Sequence, residues 1–107
     1  MTMTNTPTIL TPEEIDKKLK NLPAWRFEQI PPAGGKISKE FKFKDFIDSL
    51  KFVNDLAPFF ESLNHHPDIQ IKYNKVLFEL QRFDIGGKVT DLDFTVASEI
   101  ERKYGER

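Results

Sequence analysis

The chain has 107 residues, 38% of them apolar and 31% charged, which is typical of a single globular domain. Its 16 Lys and Arg nearly balance its 17 Asp and Glu, so the formal charge of −1 excludes a strong overall attraction to nucleic acids or anionic membranes. Without cysteine, the chain cannot form disulfides, thiolate metal sites or a cysteine nucleophile. No apolar run nears the roughly 20 residues of a membrane-spanning helix, and the first residues lack a secretory signal, so we predict a cytoplasmic protein.

The beginning of the chain divides into a tail and a helix start. Residues 1–10 are mainly polar, and such a segment cannot bury enough apolar surface to offset the entropy lost on ordering, so we expect a flexible tail. Residues 11–107 are expected to form one folded domain. Its first helix is predicted to begin at Pro12, because Thr11 can cap it and Glu14 lies where a capping box needs a carboxylate.

Two extended segments follow the first helix. Trp25 and Phe27 alternate with polar neighbours, as in a half-buried strand. A second run comes after the Pro- and Gly-rich residues 31–35 and has apolar residues at Ile37, Phe41 and Phe43. Since Pro and Gly favour turns, the two segments predict a β-hairpin with a long loop.

A long helix is predicted after Asp45, and it carries two apolar stripes at three- and four-residue steps. The first stripe is Phe46, Leu50, Val53, Ala57 and Phe60, and the second is Phe52, Leu56, Phe59 and Leu63. Together they cover about half of the helix circumference, more than the single band usual for a monomer. We therefore predict that the second stripe is buried between subunits. Pro58 lies on the polar side, where it bends a helix more readily than it ends one.

Two strands and a last helix complete the chain. Period-two alternation predicts one strand at residues 69–73 and another at 76–80, joined by a turn. Gly86 and Gly87 end the second strand, and Thr90 and Asp93 occupy capping positions of the last helix. The order α-β-β-α-β-β-α favours an α+β fold, with three helices on one face of a four-stranded antiparallel sheet.

The only two histidines, His65 and His66, are adjacent and lie where the long helix is predicted to end. Histidine exchanges protons near neutral pH, and Pro67 restricts the backbone of His66, so the pair suits a rigid acid–base site. Glu61 lies one helical turn before His65, close enough to orient that imidazole if the helix continues. The alternative is local, because histidines also cap the carbonyls at helix C-termini.

Other functional patterns are weaker. A metal site would need Glu61, Asp68 or Asp84 beside the histidines in no recognised spacing, so we expect no metal. Gly86-Gly87 lacks the flanking residues of a phosphate-binding loop. A half-buried strand explains the lysines that alternate with aromatic residues at 39–44, so we expect no direct nucleic acid partner.

A wider pattern joins the segments ESLNHHP at 61–67, YNKV at 73–76, DIGG at 84–87 and Asp93. With Trp25 and the run FKFKDF at 41–46, these segments resemble the pterin-4a-carbinolamine dehydratases over roughly residues 11–104. The resemblance implies the same α+β fold, a homodimer or a homotetramer built as a dimer of dimers, and no cofactor.

The activity implied by the resemblance is that of a hydro-lyase. Such an enzyme removes water from a 4a-hydroxytetrahydropterin to regenerate quinonoid dihydropterin, which needs a proton for the leaving hydroxyl and a base for the ring N–H. The implied catalytic residues are His65, His66 and Glu61, with His66 chiefly binding the pterin and His65 chiefly moving protons. The implied substrate-binding residues are Pro67, Tyr73, Phe83, Asp84 and Asp93.

One position departs from the family pattern. Where the family has a third histidine, or in some bacterial members a tryptophan, this chain has Phe83. Phenylalanine can stack on a pterin but cannot donate a proton, so general acid catalysis worth about 10²–10⁴-fold is reduced or depends on His65 alone. The alternative function is a catalytically weak dehydratase-like protein with a protein client, such as a Rubisco assembly factor or a transcription-factor dimerisation cofactor.

Overall fold

The computed structural model of the chain describes residues 8–32, 34–81 and 87–107. It confirms the predicted order of elements: α1 (Pro12–Leu19), β1 (Arg26–Ile30), β2 (Gly34–Lys42), α2 (Phe46–Leu63), β3 (Asp68–Lys72), β4 (Lys75–Leu80) and α3 (Asp91–Gly105). The strands form one antiparallel sheet in the order β1-β2-β4-β3, so β1 and β3 are its edges. None of the described helices is long and apolar enough to cross a membrane.

One face of the sheet and all three helices share a single hydrophobic core. Phe41 of β2 lies at its centre and is almost fully buried. Its ring centroid is within 6.1 Å of those of Trp25, Phe52, Phe78 and Tyr104. Aromatic contacts of this tilted or edge-to-face kind add to the free energy gained by burial. The predicted α+β arrangement is confirmed, and the opposite face of the sheet carries mainly charged residues because strand side chains alternate.

The start of α1 has the predicted capping box. Thr11 Oγ1 accepts from the Glu14 N–H at 3.2 Å, and Glu14 Oε1 accepts from the Thr11 N–H at 2.8 Å. The predicted tail includes residues 8–10, yet Leu10 is buried and its N–H donates to Val89 O at 3.1 Å. This pairing holds the chain beside the start of α3. Residues 1–7 lie outside the described part of the chain.

The long helix α2 has the predicted start and passes through its proline. The carboxylate of Asp45 accepts from the Asp48 N–H at 2.9 Å, as an N-cap residue does. Pro58 is exposed, and the helix continues beyond it to Leu63. A proline on the solvent side removes one hydrogen bond without disturbing the packed face, which agrees with the prediction.

The prediction about the two apolar stripes of α2 is wrong. Phe52 and Leu56, assigned above to a subunit interface, are buried in the core of the single chain, and Phe59 and Leu63 pack against that core. The exposed large apolar residues of α2 are instead at its start, Phe46 and Ile47. Periodicity defines the apolar faces of a helix, but two faces of similar apolar content do not reveal which one meets the sheet.

The β3–β4 hairpin turns at Tyr73 and Asn74, at the end of the sheet remote from the histidines. Tyr73 has a left-handed backbone, with φ of 54°, and the residue is 66% exposed. Asn74 connects the turn to the residue after β2, because its side chain donates to Phe43 O at 3.2 Å and its carbonyl accepts from the Phe43 N–H at 2.7 Å. The predicted turn is confirmed.

Two glycines bring the chain after β4 close to the β1–β2 hairpin. The Gly35 N–H donates to Gly87 O at 2.8 Å. A Cβ on Gly35 would lie 2.5 Å from the Phe27 ring, and Gly87 has φ of +70°, so larger residues are strained at both positions. This contact sets the path of residues 87–90, which lead into α3.

Candidate active site at the end of the long helix

The end of α2 sets the directions of the two histidines. Asn64 closes the helix in the left-handed conformation, with φ of 48° and ψ of 44°, and the His65 N–H donates to Phe60 O at 3.1 Å. Because the helix ends here, the one-turn spacing from Glu61 to His65 does not apply. The predicted contact between Glu61 and His65 is therefore wrong, and Glu61 contacts His66 instead.

His65 is buried, with 3% of its side chain exposed, and its Nε2 is hydrogen-bonded to Asp93 Oδ1 of α3. Asp93 is fully buried. A buried carboxylate is costly unless it is paired, so the imidazole and the carboxylate stabilise each other in this position. The pair joins the end of α2 to the beginning of α3.

Asp93 has a second role, which is the predicted one in helix capping. Its Oδ2 accepts from the backbone N–H of Thr90 at 2.8 Å, while its Oδ1 contacts His65. The N-terminal end of a helix also favours a negative charge. The sequence predicted Asp93 as a capping residue, but its contact with a residue 28 positions earlier carries no local signal.

His66 has the opposite environment. Its side chain is 53% exposed, and its Nε2 is hydrogen-bonded to Oε2 of Glu61, whose side chain is 73% exposed. Pro67 follows His66, is half-buried, and precedes β3. The structure therefore places a histidine–carboxylate pair at the surface within a few residues of a buried one.

The two pairs have the same chemistry at their hydrogen-bonded ends. Since a carboxylate only accepts hydrogen bonds, Nε2 carries the proton in both rings, and in the neutral imidazole Nδ1 is then the nitrogen that can accept a proton. The carboxylate also stabilises the imidazolium that forms when Nδ1 is protonated. The exposed pair can exchange protons with a bound molecule directly, whereas the buried pair is shielded from most of the solvent.

The structure does not bring all of the predicted site residues together. Pro67 and Asp93 lie beside the two histidines, but Tyr73 lies at the far end of β3. Six residues of extended chain from Pro67 to Tyr73 correspond to about 20 Å. Phe83 and Asp84 lie outside the described residues.

A cavity of about 290 Å³ lies between α1, the end of β1 and residues 88–89. Its walls are mainly apolar and include Ile15, Phe27 and Val89, but neither His65 nor His66 lines it. We therefore place no substrate there. Within the ranges 8–32, 34–81 and 87–107, no three His, Asp or Glu side chains are grouped as metal ligands.

The profile of a protein family described as pterin 4 alpha carbinolamine dehydratase matches residues 8–103. The chain belongs to this family. The dehydratase family includes a relative from Metallosphaera sedula, named "Putative pterin-4-alpha-carbinolamine dehydratase", which is 46% identical over 86% of this chain and 90% of its own length. A protein of the same name from Acidobacterium capsulatum is 42% identical over 86% of this chain and 94% of its own length.

Two solved structures share the fold. A transcriptional coactivator/pterin dehydratase from Brucella melitensis superposes with a TM-score of 0.77, at 31% identity, over 90% of this chain and 98% of the other. A pterin dehydratase-like protein described as a RuBisCO assembly factor of the α-carboxysome superposes with a TM-score of 0.61, at 22% identity, over 77% of this chain and 90% of the other. At that lower identity, the second likeness supports the shared fold alone.

Proposed function

We propose that this dehydratase family member removes water from a 4a-hydroxytetrahydropterin and so forms quinonoid dihydropterin. The observation that supports this activity is that each of two adjacent histidines is hydrogen-bonded through Nε2 to its own carboxylate. In the reaction, the leaving hydroxyl gains a proton, its bond to the ring carbon breaks, and the neighbouring ring N–H gives up a proton to a base. The net product besides the dihydropterin is one water molecule.

The environments of the two histidines favour a division of roles opposite to the one expected from the resemblance. His66 is exposed enough to touch a substrate, and Glu61 orients it and stabilises its protonated form. His65 is buried and has Asp93 against Nε2, so its ring is held in place. We therefore assign proton transfer to His66, and to His65 the task of binding or orienting the pterin.

The substitution at Phe83 limits the expected rate. A phenyl ring offers stacking to a pterin but no proton, so His66 must act in turn as acid for the hydroxyl and base for the ring N–H. Loss of one general acid corresponds to about 10²–10⁴-fold in rate. We expect a dehydratase whose turnover rises when Phe83→His restores a third titratable group.

The test is stopped-flow dehydration of 4a-hydroxytetrahydropterin by wild type, Phe83→His and Phe83→Leu. The proposal expects wild type above the uncatalysed rate and Phe83→His above wild type, while Phe83→Leu controls for loss of the ring alone. If wild type and Phe83→His both remain at the uncatalysed rate, the proposed activity is wrong.

That negative result would favour the second candidate, a dehydratase-like protein with a protein client. The observation behind it is Phe83, since loss of a catalytic group is tolerated when the fold is used for protein binding. Its own test is whether His66→Ala, which removes the exposed imidazole, leaves the function of the chain in its host unchanged. A loss of that function would argue against the protein-binding role.

A further inference from the structure

A groove of about 360 Å³ lies between the first half of α2 and the end of α3, toward the opposite end of α2 from the histidines. We call it the α2–α3 groove. Phe43 and Phe52 form its floor, and its other lining residues are all charged. The charged residues are Asp48, Lys51 and Asp55 on the α2 side and Lys103, Glu106 and Arg107 on the α3 side. A pocket that combines an apolar surface with a few charged groups can hold a small molecule and fix its orientation.

The α2 wall of the groove is acidic. Its three charged residues are spaced so that they share one face of the helix, which presents two carboxylates and one ammonium. Asp48 Oδ2 is 3.9 Å from Lys44 Nζ, and Asp55 Oδ2 is 3.5 Å from Lys51 Nζ. The two lysine side chains are 76% and 72% exposed, and exposed pairs of this kind contribute little free energy. Both carboxylates can therefore accept a closer cationic partner.

The wall formed by the end of α3 is basic. The carboxylate of Glu106 is bonded to Arg102, which does not line the groove. In the part of the chain that the structure describes, neither Lys103 nor Arg107 forms an ion pair with a carboxylate. The guanidinium of Arg107 instead lies 3.9 Å from the ring centroid of Tyr104, and its Nε donates to Tyr104 O at 3.2 Å. The remaining N–H groups of this guanidinium can still donate to an anion.

The two walls carry opposite net charges but do not meet. The α2 wall has two carboxylates and one ammonium, and the α3 wall has two cations and one carboxylate, so their formal charges are −1 and +1. Among the described residues, no ion pair joins α2 to α3 across the groove. A molecule with one cationic and one anionic group matches both walls at once, whereas a molecule with a single charge leaves one wall unmatched.

The floor determines a third property of a matching ligand. The rings of Phe43 and Phe52 have centroids 4.9 Å apart and planes tilted by 45°, and both residues are held in the aromatic cluster around Phe41. An apolar side chain that lies on these two rings removes further apolar surface from water. The volume of the groove is near the lower end of the range of about 300–1,000 Å³ for ligand sites. It therefore suits a small molecule.

We propose that the α2–α3 groove binds a free α-amino acid with a large apolar side chain. The α-ammonium contacts the carboxylates of the α2 wall, the α-carboxylate contacts Lys103 and Arg107, and the side chain covers Phe43 and Phe52. Hydrogen bonds between ionised groups are stronger than those between neutral groups, so the zwitterion is preferred over ligands with one charge. The groove lies apart from the histidines, and the inference does not depend on the proposed function.

The first test titrates the protein with L-phenylalanine and follows backbone NMR signals. We expect saturable shifts at the residues that line the groove, with a dissociation constant on the order of 1 mM, since about twelve heavy atoms at the efficiency of drug-sized ligands give that affinity. No saturable shifts, or shifts confined to other parts of the chain, would overturn the proposal.

The second test removes one group of the ligand at a time. Phenethylamine lacks the carboxylate, 3-phenylpropanoate lacks the ammonium, and glycine lacks the apolar side chain. Each should bind about three- to tenfold more weakly than L-phenylalanine, because each loses one of the three sets of contacts. If any of the three binds as tightly as L-phenylalanine, the groove does not select the proposed class of ligand.

The third test removes the charges of the two walls. Asp55→Asn and Lys103→Gln should each weaken the binding of L-phenylalanine by about three- to tenfold. Asp55→Asn should also weaken the binding of phenethylamine but not of 3-phenylpropanoate, and Lys103→Gln should do the reverse. Asp16→Asn and Lys17→Gln are the matched controls, because they remove the same charges from exposed positions of α1 outside the groove. Circular dichroism checks that every variant is folded. Wild-type affinity for L-phenylalanine in both groove variants, or an equal loss in the α1 variants, contradicts the proposal.

Discussion

Two neighbouring residues, His65 and His66, occupy opposite environments at the end of α2. Each imidazole is hydrogen-bonded through Nε2 to a carboxylate, but one pair is buried between α2 and α3 and the other is at the surface. The difference arises from the backbone, because Asn64 turns the chain in the left-handed conformation and Pro67 favours an extended His66. The comparison shows that two adjacent histidines, each paired with a carboxylate, can differ completely in their exposure to solvent.

The physical distinction lies in what surrounds each pair. Removing one member of a buried pair leaves its partner uncompensated in a medium of low polarity, so the folded state is destabilised. Removing one member of an exposed pair leaves the partner hydrated, so stability changes little. Under the proposed function, activity has the reverse sensitivity, since proton transfer is assigned to the exposed imidazole of His66.

The largest expected effect is on activity, in His66→Ala. If His66 transfers protons, kcat/KM for pterin dehydration falls by about 10²–10⁴-fold. The free energy of unfolding should change by less than about 0.5 kcal/mol, since the residue is half exposed. Stopped-flow kinetics and chemical denaturation measure the two quantities. A large loss of stability with unchanged kcat/KM would remove the contrast between the histidines.

The next largest effect is on stability, in Asp93→Ala. The substitution leaves buried His65 without its carboxylate and removes the acceptor for the Thr90 N–H, so we expect a loss of about 3–5 kcal/mol in urea unfolding. Glu61→Ala is the matched control, because it removes the carboxylate of the exposed pair. Equal losses of unfolding free energy in the two variants would show that burial does not make the His65–Asp93 pair more important for stability than the Glu61–His66 pair.

A smaller effect is expected when the exposed pair keeps its shape and loses its charge. Glu61→Gln retains a hydrogen-bonding group beside His66 but no longer stabilises the imidazolium. A hydrogen bond to a charged group contributes about 1.5 kcal/mol, so kcat falls by about tenfold at nearly constant stability. A rate equal to that of wild type would mean that the charge of Glu61 does not contribute to the reaction.

The smallest effect is expected at a surface ion pair with no chemistry to perform. Arg102 lies 2.7 Å from Glu99, and this contact lowers the pKa of the Glu99 carboxyl below its usual 4.5. A lowered pKa stabilises the folded state above the pKa of the unfolded chain, and the contribution is lost as the pH falls through the folded-state pKa. Arg102→Gln should therefore lower Tm at pH 7 by less than about 4 °C, with the difference disappearing in acid. A larger loss of Tm would mean that exposed ion pairs stabilise this protein more than expected. The loss of stability expected for Glu61→Ala would then increase as well.

Local patterns were sufficient to predict the helices and strands and to identify the histidines of the candidate site. The capping residues Thr11, Asp45 and Thr90 and the alternation of β3 and β4 each act within a few residues, and all appear where the sequence predicts them. The adjacent histidines before Pro67 were recognised for the same reason, since their chemistry and their position at a helix end are both local features. The family resemblance added Asp93 to the predicted site, although no sequence pattern indicates that Asp93 contacts His65.

Contacts between segments that are distant in the sequence could not be predicted from local patterns. The choice of which stripe of α2 packs on the sheet depends on the whole core around Phe41, and the partner of each histidine depends on how Asn64 redirects the chain toward α3. Periodicity and capping are properties of neighbouring residues, whereas these contacts join residues far apart in the sequence. The α+β fold is therefore evident from the sequence, but the separation of a buried histidine from an exposed one exists only once α2, α3 and the sheet have packed together.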